Sequence, residues 1–419
     1  MKRKFSVFIC PVFVGIAFIF LTTSLMAQTP FEHMDRNSDG RLSRSEFRGP
    51  PPAFGRLDRN NDGYITDREA AGTRLSGGMD TAGQVRTRPP EKKSTELIYV
   101  DTHNHLVGRR VMGRYDLEKS ARIAIEAMDA TGVKLNLLMP MPQTVNQDLQ
   151  LYFEDFLPIV EQYPNRFAAL GGGGSLNVMI QQALREGHVT TAMEKKFDAR
   201  ASELARKGAV GFGEMTAEHF SMTEKHPYEK APPDHPLFLR LADLAAKHDL
   251  PVDIHMEAIP EEMPMPSRFQ SPPNPRILKP NIAAFGRLLA HNRKAKIIWV
   301  HMGWDNMGKR TIALTRRLLE ENPNLYISIR IASGMQERKV VKPTFPLDKN
   351  GQLKQEWLEL FQKFPDRFLI GSDEIIKPAN NHPSAGSIRS TASMLEQLPK
   401  KLKSHIGYEN AYRLYKLKK

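Results

Sequence analysis

From residue 97 onward, short apolar runs alternate with stretches of helical period. Eight runs begin near Ile98, Lys134 (KLNLLMP), Phe167 (FAALGG), Ala209 (AVGFGEM), Pro251 (PVDIHME), Lys296 (KIIWVHMG), Asn324 (NLYISIRI) and Arg367 (RFLIGSDE). Runs this short and this apolar suit parallel strands covered on both faces. Between them, residues 117–131, 193–207, 237–248, 281–292, 310–321 and 353–364 place apolar side chains three and four apart, as amphipathic helices require. Gly132 and Gly208 stand just past two of these stretches, where a helix C-terminus favours glycine. Eight strand–helix units over about 300 residues predict an α/β fold, a (β/α)8 TIM barrel over residues 97–419. An open doubly wound sheet is the alternative, but no Gly-x-Gly-x-x-Gly follows the first strand.

The pattern upstream is different. Met1-Lys2-Arg3-Lys4 precede an apolar run over 5–26, and Ala27 is followed by the polar Gln28. A charged start, an apolar middle and a small residue before the cut make residues 1–27 an export signal. The run is also long enough to cross a bilayer, so an uncleaved anchor is the alternative. Either way the rest of the chain is expected to be exported: periplasmic, secreted or on the outer surface. Residues 73–96 are rich in Gly, Thr, Ser and Pro, lack an apolar period, and read as a linker.

Residues 28–72 carry a repeated polar pattern. Asp35, Asn37, Asp39, Gly40, Arg41, Ser43 and Glu46 fall at positions 1, 3, 5, 6, 7, 9 and 12 of a calcium loop. Asp58, Asn60, Asp62, Gly63, Tyr64, Thr66 and Glu69 repeat it 23 residues on. Calcium takes six to eight oxygens, so such a loop supplies carboxylates, one backbone carbonyl (from Arg41 or Tyr64) and a bidentate Glu. Leu42 and Ile65, at position 8, are placed to pair as a small β-bridge. These segments resemble EF-hands. They depart from that family in the short gap between loops, which contains Pro50-Pro51-Pro52 and must truncate the intervening helices. The resemblance implies bound Ca in a compact structural pair.

Composition changes this picture in two places. The one cysteine, Cys10, lies in the amino-terminal apolar run, so a processed chain has neither disulfides nor a thiolate metal site. The formal net charge is +13, but basic residues are scattered, as on a solvated surface. Nucleic acid is therefore not the expected partner, and membrane contact is expected only through an uncleaved amino-terminal segment. A small-molecule substrate is the expected partner, and a homo-oligomer is compatible with the composition.

The chemistry lies at the ends of the runs. In a barrel the strand C-termini share one rim, where catalytic residues gather from several strands. The first run ends in His103 and His105, the fourth in Glu214, the fifth in His255, the sixth in His301 and the eighth in Asp373. Side chains at i and i+2 of a strand share a face, so His103 and His105 form a pincer for a metal. Taken singly, each residue has a structural alternative: a hydrogen-bonded core histidine, a loop carboxylate, a helix N-cap. Six potential ligands at one rim point instead to a metal site. Without Cys, the His/carboxylate mixture suits Zn, Mn or Fe. Arg109 and Arg330 are the candidate substrate contacts, since an Arg at such a rim can grip a carboxylate bidentately. Arg110, Trp304 and His382 are weaker candidates for the pocket wall.

At these residues the chain resembles the amidohydrolase superfamily. DTHNH, GAVGFGEM, DIHME, WVHMG, PDRFLIGSD and YENAYRLYKL carry the resemblance, with YPNRFAALGG and MDATGVKLNLLMP similar to its amidohydrolase-related branch. That branch contains hydrolases and decarboxylases of the aminocarboxymuconate semialdehyde type. In a one-metal arrangement the resemblance assigns His103, His105, His255 and Asp373 to the ion, with His301 acting on the attacking water. In a two-metal arrangement Glu214 bridges the ions, and His255 and His301 hold the second. GFGEM is similar to the bridging glutamate of TatD-type metallohydrolases, where many superfamily members carry a carboxylated lysine. The resemblance implies an exported metal-dependent hydrolase of amide, ester or lactone bonds, holding one or two divalent ions, zinc first among them, with Asp373 and His301 catalytic. The alternatives are a non-oxidative decarboxylase, a TatD-like phosphodiesterase, and a non-enzymatic calcium-binding surface protein.

Overall fold

The computed structural model describes residues 34–35, 41–49, 51–58, 63–66, 70, 99–111, 114–145, 151–224, 226–270, 273–331, 344–377 and 386–418. The chain divides into two compact units, Met1–Pro90 and Glu91–Lys419. The expected signal over 1–27, the linker over 73–96 and His382 lie outside the described residues. Among the described residues no helix is long and apolar enough to cross a membrane.

The larger unit is a TIM barrel. Its strands are β1 (Tyr99–Leu106), β2 (Val133–Leu138), β3 (Phe167–Ala169), β4 (Phe212–His219), β5 (Pro251–Met256), β6 (Lys296–Met302), β7 (Leu325–Ile329) and β8 (Phe368–Ile370). They lie parallel in the order β4-β5-β6-β7-β8-β1-β2-β3. The chain resumes pairing after β3 at Gly171–Gly172, alongside Phe212 and Gly213 of β4, and this joins the two ends of the sheet. The glycine run there answers a close approach: a Cβ on Gly174 would lie 2.1 Å from the Leu151 carbonyl oxygen. Strand starts fall within three residues of those predicted.

The helices are α1 (Glu118–Thr131), α2 (Phe153–Gln162), α3 (Leu176–Glu186), α4 (Thr191–Arg206), α5 (Pro236–His248), α6 (Ile282–His291), α7 (Ile312–Glu321), α8 (Gln355–Lys363) and α9 (Gly386–Glu396). Gly132 closes α1 in the left-handed conformation, at φ 80°, as its position predicts. Three helices, α2, α3 and α9, lie outside the periodic stretches of the sequence. The pattern of α2 is interrupted by Pro158, and α3 is a second helix between β3 and β4.

The core has two layers. Outside the barrel, Val252, Ile254 and Met256 of β5 pack with Phe238, Leu241 and Phe285 of the helices. Inside, Val100, Leu135, Leu137, Ile298, Val300 and Leu369 meet Leu414 and Tyr415 of the carboxy-terminal helical segment. The barrel interior is thus packed with apolar side chains capped by the end of the chain, leaving the opposite rim for polar residues.

In the smaller unit, Arg41–Ser43 pairs antiparallel with Tyr64–Thr66, and Leu42 stands opposite Ile65 as predicted. Both bury against Phe54 of the helix Pro51–Leu57. That helix has only seven residues and opens with the prolines, which a helix tolerates in its first turn. Gly63, at φ 86°, donates its N–H to Asp58 Oδ2 at 3.1 Å, and Glu46 Oε2 accepts from Ser43 N at 2.9 Å. Asn37, Asp39, Asn60, Asp62 and Glu69 lie outside the described residues.

Candidate metal centre

Strict alternation alone would not bring the predicted ligands together. On β6, Ile298 and Val300 point into the barrel, so an extended His301 would face outward. Instead His301 sits at φ 63°, and the register against β7 shifts between Trp299 and Met302. This turns the ring inward. Asp373 uses the same device at φ 55°. A left-handed non-glycine residue costs about 1–2 kcal/mol, and such residues cluster at functional sites. β1 shifts register between Asp101 and Asn104, and β4 shifts opposite Asp253. Bulges of this kind re-aim side chains at barrel rims. Glu214 is not at the end of its strand as expected; it is the third residue of β4, which runs on to His219. The bulge, not a strand terminus, delivers it.

Glu214 is the hub. Its Oε1 lies 2.8 Å from His255 Nδ1 and 3.0 Å from His301 Nε2. Its Oε2 lies 3.5 Å from His103 Nε2 and 3.4 Å from His105 Nε2. Asp373 Oδ1 is 3.3 Å from His105 Nε2, and Asp373 Oδ2 is 3.7 Å from His301 Nδ1. The structure therefore gathers all six residues singled out at the strand ends. Arg330, just past β7, lays its guanidinium on Trp304, 4.5 Å from the ring centroid, and reaches Asp373 Oδ2 at 2.5 Å. It lines the cavity, but its charge is committed to Asp373. Arg109 is in a short hairpin strand, Arg109–Val111, and its side chain lies outside the described residues.

The cluster is electrostatically divided. Burial alone would lower His103 and His105, but the carboxylates facing them prevail. Glu214 and Asp253 raise His103 to about 10, and Asp373 and Glu214 raise His105 to about 9. Burial wins at His301, which falls to about 3 despite Asp373 and Glu214. Burial would raise Glu214 and Asp373, yet the histidines hold Glu214, and Arg330 and His301 hold Asp373, well below the usual carboxylate range.

The donor set fits a divalent transition metal. His103, Glu214 and His301 offer ligand atoms within 4.8 Å of one another, as do His103, His105 and Asp373. Nε2 of His103 and Nδ1 of His301 are buried without a hydrogen-bond partner, an expensive arrangement for polar atoms unless they serve as ligands. Imidazoles and carboxylates, with no thiolate, suit Zn, Mn or Fe.

A cavity of about 550 Å³ opens above the cluster. Met141, Phe220 and Trp304 supply apolar wall, and His219, Glu229 and Asn306 polar wall. Sequence reading did not single out Glu229, because it follows no apolar run. It arrives on a short strand, Glu229–Lys230, that folds back against the end of β4. His219 stacks edge-on to His255 with centroids 4.5 Å apart, and no spacing in the sequence signals that contact.

An amidohydrolase family profile matches residues 100–417. The chain belongs to the amidohydrolase family. As an amidohydrolase with this ligand cluster it is a metal-dependent enzyme. An EF-hand profile also matches residues 30–49, covering the first calcium loop. No curated protein sequence matches. Among solved structures, similar ones include a probable 2-pyrone-4,6-dicarboxylic acid hydrolase from Acinetobacter baumannii with citric acid bound, 14% identical, covering 76% of this chain and 99% of that one, with a TM-score of 0.45. A dihydroxybenzoic acid decarboxylase from Polaromonas with bound manganese and 2-nitroresorcinol is 14% identical, covering 76% and 97%, with a TM-score of 0.44. A zinc-bound amidohydrolase from Burkholderia multivorans is 13% identical, covering 77% and 100%, with a TM-score of 0.40.

Proposed function

We propose that this amidohydrolase is an exported hydrolase that cleaves an amide, ester or lactone bond with activated water. The carrying observation is Glu214, whose two oxygens each face two imidazoles. That arrangement favours the two-metal reading: His103, His105 and Asp373 would hold one ion, His255 and His301 the other, and Glu214 would bridge. A divalent ion, zinc first, would lower the pKa of water toward neutrality and polarise a substrate carbonyl.

The chain's own residues do the rest. Asp373, on the cavity wall, takes the proton from the attacking water and passes it to the leaving group. The Arg330 guanidinium fixes its orientation and keeps it ionised between turnovers. His301, kept neutral by burial, remains a lone-pair donor across the working pH range. The apolar wall excludes bulk water from the leaving group.

Hydrolysis is favoured over decarboxylation because Asp373 already balances the Arg330 charge through Nη1, which weakens its pull on a substrate carboxylate. A phosphodiesterase is disfavoured for the same reason: the described lining has one arginine, it is paired with Asp373, and Glu229 lines the same cavity. Export rests on the amino-terminal pattern, and the calcium loops would fold the segment ahead of the barrel.

The test is metal content of the mature protein by mass spectrometry, followed by a screen of lactones, esters, amides and aromatic acids. Two equivalents of transition metal, reduced in Glu214→Gln, with hydrolysis products and no CO2 release, are expected. CO2 release from an aromatic acid would replace hydrolase by decarboxylase, and absence of transition metal would end both.

A further inference from the structure

We propose that Asp253 and Tyr415 form a relay that orients His103 and fixes its tautomer, making the carboxy-terminal segment a positioning element of the metal centre. The inference rests on His103 being a metal ligand. Asp253 precedes His255 by two residues on β5 and so faces the barrel interior one layer beneath the cluster. It is fully buried. The Tyr415 phenol donates to Asp253 Oδ1 at 2.8 Å. The other oxygen, Oδ2, faces His103 Nδ1 at 3.6 Å, and neither of these two atoms has a hydrogen-bond partner.

A neutral imidazole carries one N–H. Given to Asp253 through Nδ1, it leaves the Nε2 lone pair directed at Glu214 and Asp373, where an ion would sit. The geometry is tightly held. A Cβ on Gly213 would lie 2.9 Å from the Cβ of Asp253, so β4 gives this carboxylate its room only by having glycine there. Tyr415 is buried among Val300, Leu369 and the other inner core residues. The next residue, Lys416, pairs with Asp249, which also pairs with Lys296 at 2.6 Å. A carboxylate sealed in an apolar interior is a poor stabilising device on its own, since an apolar side chain of similar size would do as well there. Its placement is explained by what it faces.

The experiment measures zinc affinity by chelator competition, and the cobalt(II) absorption spectrum, for wild type, D253N, Y415F, the double variant and H103A. Melting of the metal-free proteins controls for folding. D253N is expected to weaken zinc binding about 10- to 100-fold and to shift the cobalt spectrum. Y415F, which removes one oxygen, is expected to weaken it by less than D253N does, with no further loss when added to D253N. Wild-type affinity and an unchanged cobalt spectrum in D253N would overturn the relay while leaving the metal centre intact. Full additivity of the two variants would also overturn it. Equal binding by wild type and H103A would instead remove the metal reading of His103, and the relay with it.

Discussion

Metal uptake should expel close to two protons from the histidines even at pH 8, and that count can be worked from the cluster. In the metal-free protein, the surrounding carboxylates raise His103 to about 10 and His105 to about 9, against an ordinary value of 6.5. Both rings are therefore charged at pH 8. His301, at about 3, is already neutral. Glu214 and Asp373 are already ionised. A metal ligand must be deprotonated, so binding displaces one proton from His103 and most of one from His105. By linkage, apparent affinity rises about 100-fold per pH unit below pH 9, and about 10-fold per unit between 9 and 10. Calorimetric titration of the apo-protein with zinc, in buffers of differing ionisation enthalpy, gives the proton count directly. Histidines at their ordinary value would release less than about a tenth of a proton in total at pH 8. Deprotonation of metal-bound water adds up to about one proton, so a total at or below about one would refute the view that Glu214, Asp253 and Asp373 hold these rings charged.

Three further outcomes concern charged side chains. Arg330→Met takes the guanidinium from Asp373 in the metal-free protein and leaves that carboxylate to the histidines, a loss of about 2–3 kcal/mol. Its apo melting temperature should fall by about 5 °C and recover on adding metal, whereas an unchanged apo melt would contradict the pairing. Glu154 on α2 is held at about 2 by Arg200, which it meets at 2.8 Å with both oxygens, and then by Lys207 at 2.9 Å. Because its folded value is depressed, its contribution is present above about pH 4.5 and lost as pH falls toward 2. Glu154→Gln should cost about 1 kcal/mol in urea denaturation at pH 7, shrinking at pH 3; an undiminished difference at pH 3 would count against it. Glu46→Gln should reduce calcium titration of the chain from two sites to one, and retention of both would remove Glu46 from the loop.

The barrel and the six residues gathered at the cluster were legible in the sequence. Period and composition are local properties, and a parallel strand covered by helices leaves a recognisable apolar run such as PVDIHME or KIIWVHMG. The candidate ligands were legible for the same reason, because each of His103, His105, His255, His301 and Asp373 directly ends such a run. The Leu42–Ile65 pair was legible because two loops with one pattern must align at position 8.

Where those side chains point and what they meet was set by the folded chain. His301 reaches the cluster through a left-handed backbone, and Glu214 through a bulge opposite Asp253; neither leaves a periodic mark. Glu229 and His219 join the cavity wall because the chain folds back on β4. Arg330 looked like a free grip for a substrate carboxylate, yet it spends its charge on Asp373, 43 positions away. Tyr415 meets Asp253 across 162 positions. Such pairings depend on which strand ends share a rim and which residues share a layer. Distance in space sets them, and a one-dimensional pattern does not carry that distance.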